Sequence, residues 1–260
     1  MNVLWVLAHP EGRSLNSALH RDGVAALTEA GHHVEVSDLY AMKWNPVVDR
    51  DDFESVTDER LHVAKASSDA VDTGTLSPDI RAEQAKLDRA DLVVLQFPLW
   101  WFGPPAILKG WIDRVFVRGY AYGLPDPDRP GRFRTYGDGG LAGKRALAVV
   151  TIGGREQGYE PRGLAGSLEE VLFPLLHGTF FYTGMQPLPP LAVYSADRTS
   201  EERYQELAGR LRTRLAEAET TPPIPYRTQH GGDYDENLVL RPDIAPGETG
   251  LGTTRVTLDQ

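Results

Sequence analysis

Cysteine is absent from all 260 residues. That excludes disulfides, thiolate metal sites and a cysteine nucleophile, and it fits a reducing compartment. No run approaches the ~20 consecutive apolar residues of a membrane helix. The stretch from Met1 to His9 has no basic segment, and its apolar run is too short for a secretory signal. These absences predict a cytoplasmic protein without membrane insertion. Positive charge is scarce: 27 Lys and Arg against 37 Asp and Glu leave a formal net charge of −10. Such a chain repels phosphate backbones, so nucleic acid is a poor partner. Several chemical signatures are missing as well. There is no G-x-G-x-x-G, no G-x-S-x-G nucleophile elbow and no H-E-x-x-H. The P-loop-like "GGLAGKR" has Asp138 where the first glycine belongs and Arg145 where Ser or Thr belongs. The expectation is no metal and no covalent nucleophile, and no internal repeat is visible.

What is present alternates between short apolar runs and helical stripes. Val3 to Ala8 reads as a strand buried on both faces. Ser14 can cap a helix from Leu15 to Ala30, stopped by Gly31, and His33 to Val36 alternates like a strand. Ala41 to Asp52 is irregular, and Phe53 to Asp72 is polar and weakly helical. Ser77 as a capping side chain, Pro78 at the first helical position and Asp79 in the first turn open a helix to Ala90. Leu92 to Phe97 and Arg145 to Ile152 are two further strands, with a helix from Ile107 to Val117 and a long Gly/Pro/Asp-rich excursion from Gly123 to Gly143 between them. Gly163 to His177 reads as helical up to Phe173-Pro174, Leu191 to Tyr194 as a strand, and Thr199 to Ala218 as an amphipathic helix. The pattern predicts an α/β fold: a doubly wound, five-stranded parallel sheet of flavodoxin-like order 2-1-3-4-5. Residues 1–219 form this domain, and 220–260 form an irregular C-terminal tail packed on the domain or on a partner subunit.

In such sheets ligands bind beyond the carboxyl ends of the strands. Three loops fall there. "HPEGRSLNSAL" precedes a helix N-terminus, where free N–H groups favour an anion, and His9, Arg13, Ser14 and Asn16 can add donors; it also reads as a polar turn with a Ser cap. "PLWWFGPP" sets Trp100, Trp101 and Phe102 side by side outside any periodic element, suited either to stacking on a planar ring or to packing at an interface. In "TIGGREQGY", Gly153-Gly154 lets backbone approach a ligand, and Tyr159 can donate to developing negative charge; a mobile turn with a surface tyrosine is the alternative. Taken together the three suit a phosphorylated cofactor with a flat tricyclic ring, a flavin.

The stretches "LAHPEGRSLNSAL", "SDLYAMKWNPVVDRDDF", "LSPDIRAEQAKLDRADLVVLQFPLWWFGPPAILKGWIDRVF", "RGYAYGL" and "TIGGREQGY" span residues 3 to 205. On them the chain resembles the FAD-dependent NAD(P)H:quinone oxidoreductases of the DT-diaphorase type. The resemblance implies a homodimer with shared active sites, one FAD per subunit, and two-electron hydride transfer from NADH or NADPH through FAD to a quinone. It assigns His9, Arg13, Leu15 and Asn16 to the FAD diphosphate and ribose. Pro98, Leu99, Trp100, Trp101 and Phe102 match one wall of the flavin ring, and Thr151, Ile152, Gly153, Gly154 and Tyr159 match its other edge. Asp113 and Arg203 match adenine-side contacts, and His62 matches one from the partner chain. Trp101, Phe102, Gly153 and Gly154 would form the substrate slot, closed by Tyr122 and Tyr182 of the other subunit.

Two departures stand out against the family pattern. Ala165 occupies the position of a histidine that the family pairs with its active-site tyrosine, here Tyr159. Leu124, Gly158 and Tyr182 replace a tyrosine, a bulkier residue and a phenylalanine. The smaller side chains predict a wider slot and a large polycyclic quinone as acceptor. The same features also admit another aromatic acceptor (nitro, azo or a biosynthetic intermediate) or a non-catalytic flavoprotein subunit that regulates a partner.

Overall fold

The computed structural model describes residues 1–54 and 60–256. Part of the weakly helical reading of Phe53 to Asp72 lies outside the described residues. The elements run β1 (Asn2–Leu7), α1 (Leu15–Glu29), β2 (His33–Asp38), α2 (Val63–Thr73), α3 (Pro78–Arg89), β3 (Leu92–Pro98), α4 (Ala106–Val115) and β4 (Arg145–Ile152). Then come two short helical turns, α5 (Leu168–Val171) and α6 (Phe173–Leu175), a π-helical turn (Leu176–Phe181), β5 (Gln186–Pro187), β6 (Leu191–Tyr194) and α7 (Glu201–Ala216).

The apolar runs form a wholly parallel sheet in the order β2-β1-β3-β4-β5, with β6 also paired to β4. β5 and β6 share the fifth position. Leu188-Pro189-Pro190 divides it, because a proline has no N–H for the ladder. Alternate residues of β1 face opposite layers, as the period of a strand requires. Trp5 and Val3 pack with Leu19 and Leu27 of α1 and with Leu207, Leu211 and Leu215 of α7. Leu4 and Val6 pack with Ile80 and Leu87 of α3 and with Leu108 and Trp111 of α4. Gly23 lets α1 lie close to the sheet, since a Cβ there would sit 2.4 Å from the Trp5 ring. Each fully buried large side chain contributes about 1.5–3 kcal/mol.

Three expectations are corrected. The helix expected from Gly163 begins at Leu168. Its start is the box Ser167-x-x-Glu170, in which each side chain takes the other residue's backbone N–H. Ser77 precedes α3, but its hydroxyl donates to Asp79 (2.6 Å) instead of capping an amide. The helical path also continues past Pro174 as a wide turn to Phe181. The irregular stretch after β2 is pinned by Arg114, which is buried and donates to Asp52 (2.6 Å), to Asp79 (2.7 Å) and to the Asn45 carbonyl (3.1 Å). Among its described residues the tail after residue 220 has no long element, and it packs back through buried Ile224, Tyr226 and Arg227. No described helix is long and apolar enough to cross a membrane.

Candidate active site

The three loops gather at the carboxyl edge of the sheet, and buried hydrogen bonds tie their bases together. Gln96 is a lone polar residue in an apolar strand. Its amide oxygen accepts from Trp5 Nε1 (2.9 Å), and its Nε2 donates to the Asn16 carbonyl (2.8 Å). Asn16 Nδ2 in turn donates to Thr151 Oγ1 (2.6 Å), and the Leu99 amide donates to the Thr151 carbonyl (2.9 Å). The ends of β1, β3 and β4 and the start of α1 thus form one platform. Asn16 and Thr151 are buried, so their side chains build this floor instead of facing outward.

On the platform stands a two-residue hairpin. The Trp100 amide donates to the Gly103 carbonyl (3.0 Å) and the Gly103 amide to the Trp100 carbonyl (3.1 Å). The two residues between them are left-handed, Trp101 at φ 51° and Phe102 at φ 60°. Asn-Gly suits such a turn, whereas two bulky aromatics are strained in it by about 1–3 kcal/mol each. Trp101 is 98 % exposed and Phe102 59 % exposed. A strained backbone therefore holds two large apolar rings in water, at the edge where this fold binds ligands. Pro98 and Leu99 lead into the hairpin from β3.

Across from it, Ile152 ends β4 and is followed by Gly153 and Gly154, both exposed. A Cβ on Gly154 would lie 3.0 Å from the Tyr159 ring, so the glycine is what lets Tyr159 lie against the strand end. Tyr159 also packs against Tyr194 at 5.7 Å between ring centres. Burial, then the carboxylate of Glu156, pushes the Tyr194 phenol above its usual range. Residues 158–165 fold back on themselves, with the Ala165 amide donating to the Gly158 carbonyl (2.9 Å). The two positions that lack a large side chain are thereby neighbours beside Tyr159.

The loop after β1 is less open. His9 Nδ1 faces the Glu11 amide (3.1 Å). Glu11 accepts from the Arg13 amide (2.9 Å) and from Arg13 Nε (3.3 Å), and these bonds, the backbone one first, hold its carboxyl below the usual range. The Arg13 side chain is 91 % exposed. Ser14 takes the Ser17 amide as N-cap, which leaves the Leu15 and Asn16 amides at the start of α1 without an acceptor among the described residues. Free amides and the dipole at a helix start favour an anion. Arg203 lies in the first turn of α7, after β6 leaves the same edge, and pairs with Glu206 (2.6 Å).

Other expected residues lie elsewhere in the chain. Asp113 pairs with Lys109 (2.6 Å) and sits roughly 10 Å along α4 from its start, away from the hairpin. Tyr122, Leu124 and Tyr182 belong to the side where the strands begin. That excursion is fixed there by Tyr120 on Asp88 (2.8 Å) and by Lys144 on the Ala90 carbonyl (2.9 Å), just ahead of β3. Tyr122 and Tyr182 approach to 6.2 Å and line a groove of about 470 Å³ with Arg118 and Phe133. His62, at the start of α2, borders an adjoining depression that shares Ala64 and Arg118 with it. Within one chain these residues do not meet Trp101, Gly153 or Tyr159. Sequence reasoning missed Gln96, Trp5 and Tyr194. A single polar residue inside "LVVLQF" was the available signal for Gln96; nothing local marks the other two.

Residues 1–215 match the family model described as flavodoxin-like fold. A ribosyldihydronicotinamide dehydrogenase-like protein of Penicillium crustosum is 49% identical over 235 residues, covering 90% of this chain and 87% of that one. NAD(P)H dehydrogenase [quinone] 1 of Rattus norvegicus is 43% identical over 210 residues, covering 80% and 74%. The crystal structure of a candidate quinone reductase from Klebsiella pneumoniae superposes with a TM-score of 0.95 at 46% identity, covering 98% of this chain and 100% of that one. A parallel sheet of this order, an aromatic hairpin at its carboxyl edge and these relatives agree: the chain belongs to the flavodoxin-like family that includes the NAD(P)H and ribosyldihydronicotinamide quinone dehydrogenases.

Proposed function

We propose that this protein is a flavin-dependent quinone reductase that moves two electrons, as hydride, from NADH or NADPH to a quinone, with FAD as its flavin. The observation that carries the proposal is the strained, exposed Trp101–Phe102 tip facing a Gly153-Gly154 strand end across one edge of the sheet. The residues fit a flavin. The tip offers apolar ring faces for stacking, the glycine pair offers backbone free of side chains, and the Leu15 and Asn16 amides offer an anion seat. When bound, a flavin supplies the hydride relay between a reduced nicotinamide and an acceptor.

The chain's own part is orientation and charge. The Gln96–Asn16–Thr151 floor fixes the three loops relative to one another. Trp101 and Phe102 exclude water from one face of the slot. The Tyr159 hydroxyl stands ready to donate to negative charge, with Ala165 where the family pattern that the sequence resembles has a histidine. With Ala165 in that place, protons reach the product from solvent. Gly158 and Ala165, adjacent to each other, widen the slot and favour a large polycyclic quinone. The assembly is a homodimer in which Tyr122, Leu124, Tyr182 and His62 of one subunit face Trp101 and Gly154 of the other. Topology supports this arrangement, because in one chain the two groups lie at opposite ends of the sheet. Asp113 and Arg203 are assigned to the adenine end of the FAD.

The test is steady-state reduction of 1,4-benzoquinone and of 9,10-phenanthrenequinone with NADH, NADPH and dihydronicotinamide riboside as donors. Turnover with at least one donor, and a higher kcat/KM for the three-ring quinone, is the expected result. Preference for benzoquinone would reject the wide slot, and absence of turnover with every pair would reject the reductase.

A further inference from the structure

A second cavity, of about 240 Å³, lies between the π-helical turn and the irregular tail. Tyr136, His177, Arg227, Gln229, Tyr234 and Leu238 line it. The wide turn Leu176–Phe181 is a rare backbone form found often at functional sites. It carries His177 into an aromatic box. Phe173 stacks on the imidazole at 4.6 Å and 15°, Tyr136 lies at 4.9 Å, and Tyr226 meets it edge-on at 4.8 Å. Neither ring nitrogen of His177 has a hydrogen-bond partner among the described residues, and neither have the hydroxyls of Tyr136 and Tyr234. Burial pushes the imidazole down to about 4. At neutral pH it is uncharged, with one donor and one acceptor.

The Arg227 guanidinium and the Gln229 side-chain oxygen are already engaged. Arg227 donates to Asp233 (2.5 Å) and to the Thr253 carbonyl (3.1 Å), so its charge does not call for an anionic ligand. Gln229 accepts from the Thr135 hydroxyl. What the cavity offers is flat apolar wall and a few neutral hydrogen-bonding groups. An apolar cavity of ~150 Å³ holds benzene, so this one has room for one or two fused rings. Tyr136, Gln229 and Leu238 also line the groove that holds Tyr122 and Tyr182, so the two spaces adjoin.

We propose that the His177 cavity binds a planar, hydroxylated aromatic of one or two rings, and that it is a side pocket of the acceptor groove where an extended acceptor places its far ring. The binding claim stands on the cavity itself, while the side-pocket role rests on the quinone-reductase reading above. The test has two parts on the full-length protein. Equilibrium dialysis with 2-naphthol measures binding directly. Two variants close the cavity: His177→Trp fills it, and Leu238→Trp narrows it from a tail position that is 54 % exposed, where folding is not at stake. The expected result is saturable binding by the unaltered protein, weakened at least about tenfold by each variant, as for the loss of a ring's burial. The kcat/KM ratio for 9,10-phenanthrenequinone over 1,4-benzoquinone is expected to fall by roughly the same factor. No binding of 2-naphthol, or binding that neither variant weakens, overturns the site. Binding lost in the variants with an unchanged ratio overturns the side-pocket role. A protein that binds 2-naphthol through His177 yet reduces neither quinone supports the cavity and rejects the reductase.

Discussion

Trp101 is where backbone energy and function oppose each other most openly. Its left-handed conformation costs about 1–3 kcal/mol that a glycine would not incur. Trp101→Gly is therefore expected to raise stability by roughly 1 kcal/mol and to weaken flavin binding at least about tenfold. Thermal unfolding and flavin titration check the two halves, and an unchanged flavin affinity would remove the tip from the site. Gln96 behaves in the opposite sense. Gln96→Leu leaves Trp5 Nε1 and the Asn16 carbonyl buried without their partner. A loss of about 1–3 kcal/mol is expected in urea unfolding. The tip was legible in the sequence because three aromatics stand together outside any period. The Gln96 platform was not. Its partners Trp5 and Asn16 lie 91 and 80 residues away, and only the folded sheet brings them together. The sequence offers Asn16 as a donor to a phosphate, and in the fold its side chain donates instead to Thr151.

At the scale of elements, the strands and long helices were readable because period and burial agree in them. Failures fall where two signals compete. Gly163 and Gly166 interrupt what reads as a helix, and the Ser167–Glu170 box sets the true start. Pro189-Pro190 splits the fifth strand, which the apolar run Leu191 to Tyr194 marks in its second half alone. The π-helical turn could not be read at all, since nothing in its sequence separates it from an α-helix. Its pH behaviour is now predictable. Burial lowers the folded-state value of His177 to about 4, below the usual 6.5. The unfolded chain then binds more protons between those values, so the stabilisation is fully present above pH 6.5 and is lost as pH falls through 4. The neighbours facing His177 are Phe173, Phe181, Tyr136 and Tyr226, with the cation of Arg227 across the cavity. Urea midpoints of the unaltered protein and of His177→Phe at pH 7 and pH 4.5 test this. The drop on acidification is expected to shrink in the variant; an equal drop would assign the acid sensitivity to other groups.

In the molecule as a whole, the Trp101 and Gly154 group and the Tyr122 and Tyr182 group lie at opposite ends of one sheet. The proposed dimer of 28.7 kDa subunits, which would unite them, predicts complementation. Gly154→Leu presses a side chain into Tyr159, and Tyr122→Lys with Tyr182→Lys spoils the other half. Each protein alone is expected to lose quinone reduction, and an equal mixture, refolded together, to regain roughly a quarter of it through hybrid dimers with one intact site. No recovery would mean that each chain builds its site alone. Whether this protein is a flavin-dependent reductase is decided first by the anaerobic visible spectrum of the purified protein. Flavin absorbance that bleaches on addition of NADH or NADPH and returns on addition of menadione is the expected result. No flavin retained after incubation with FAD, or a bound flavin that neither nucleotide bleaches, would contradict it.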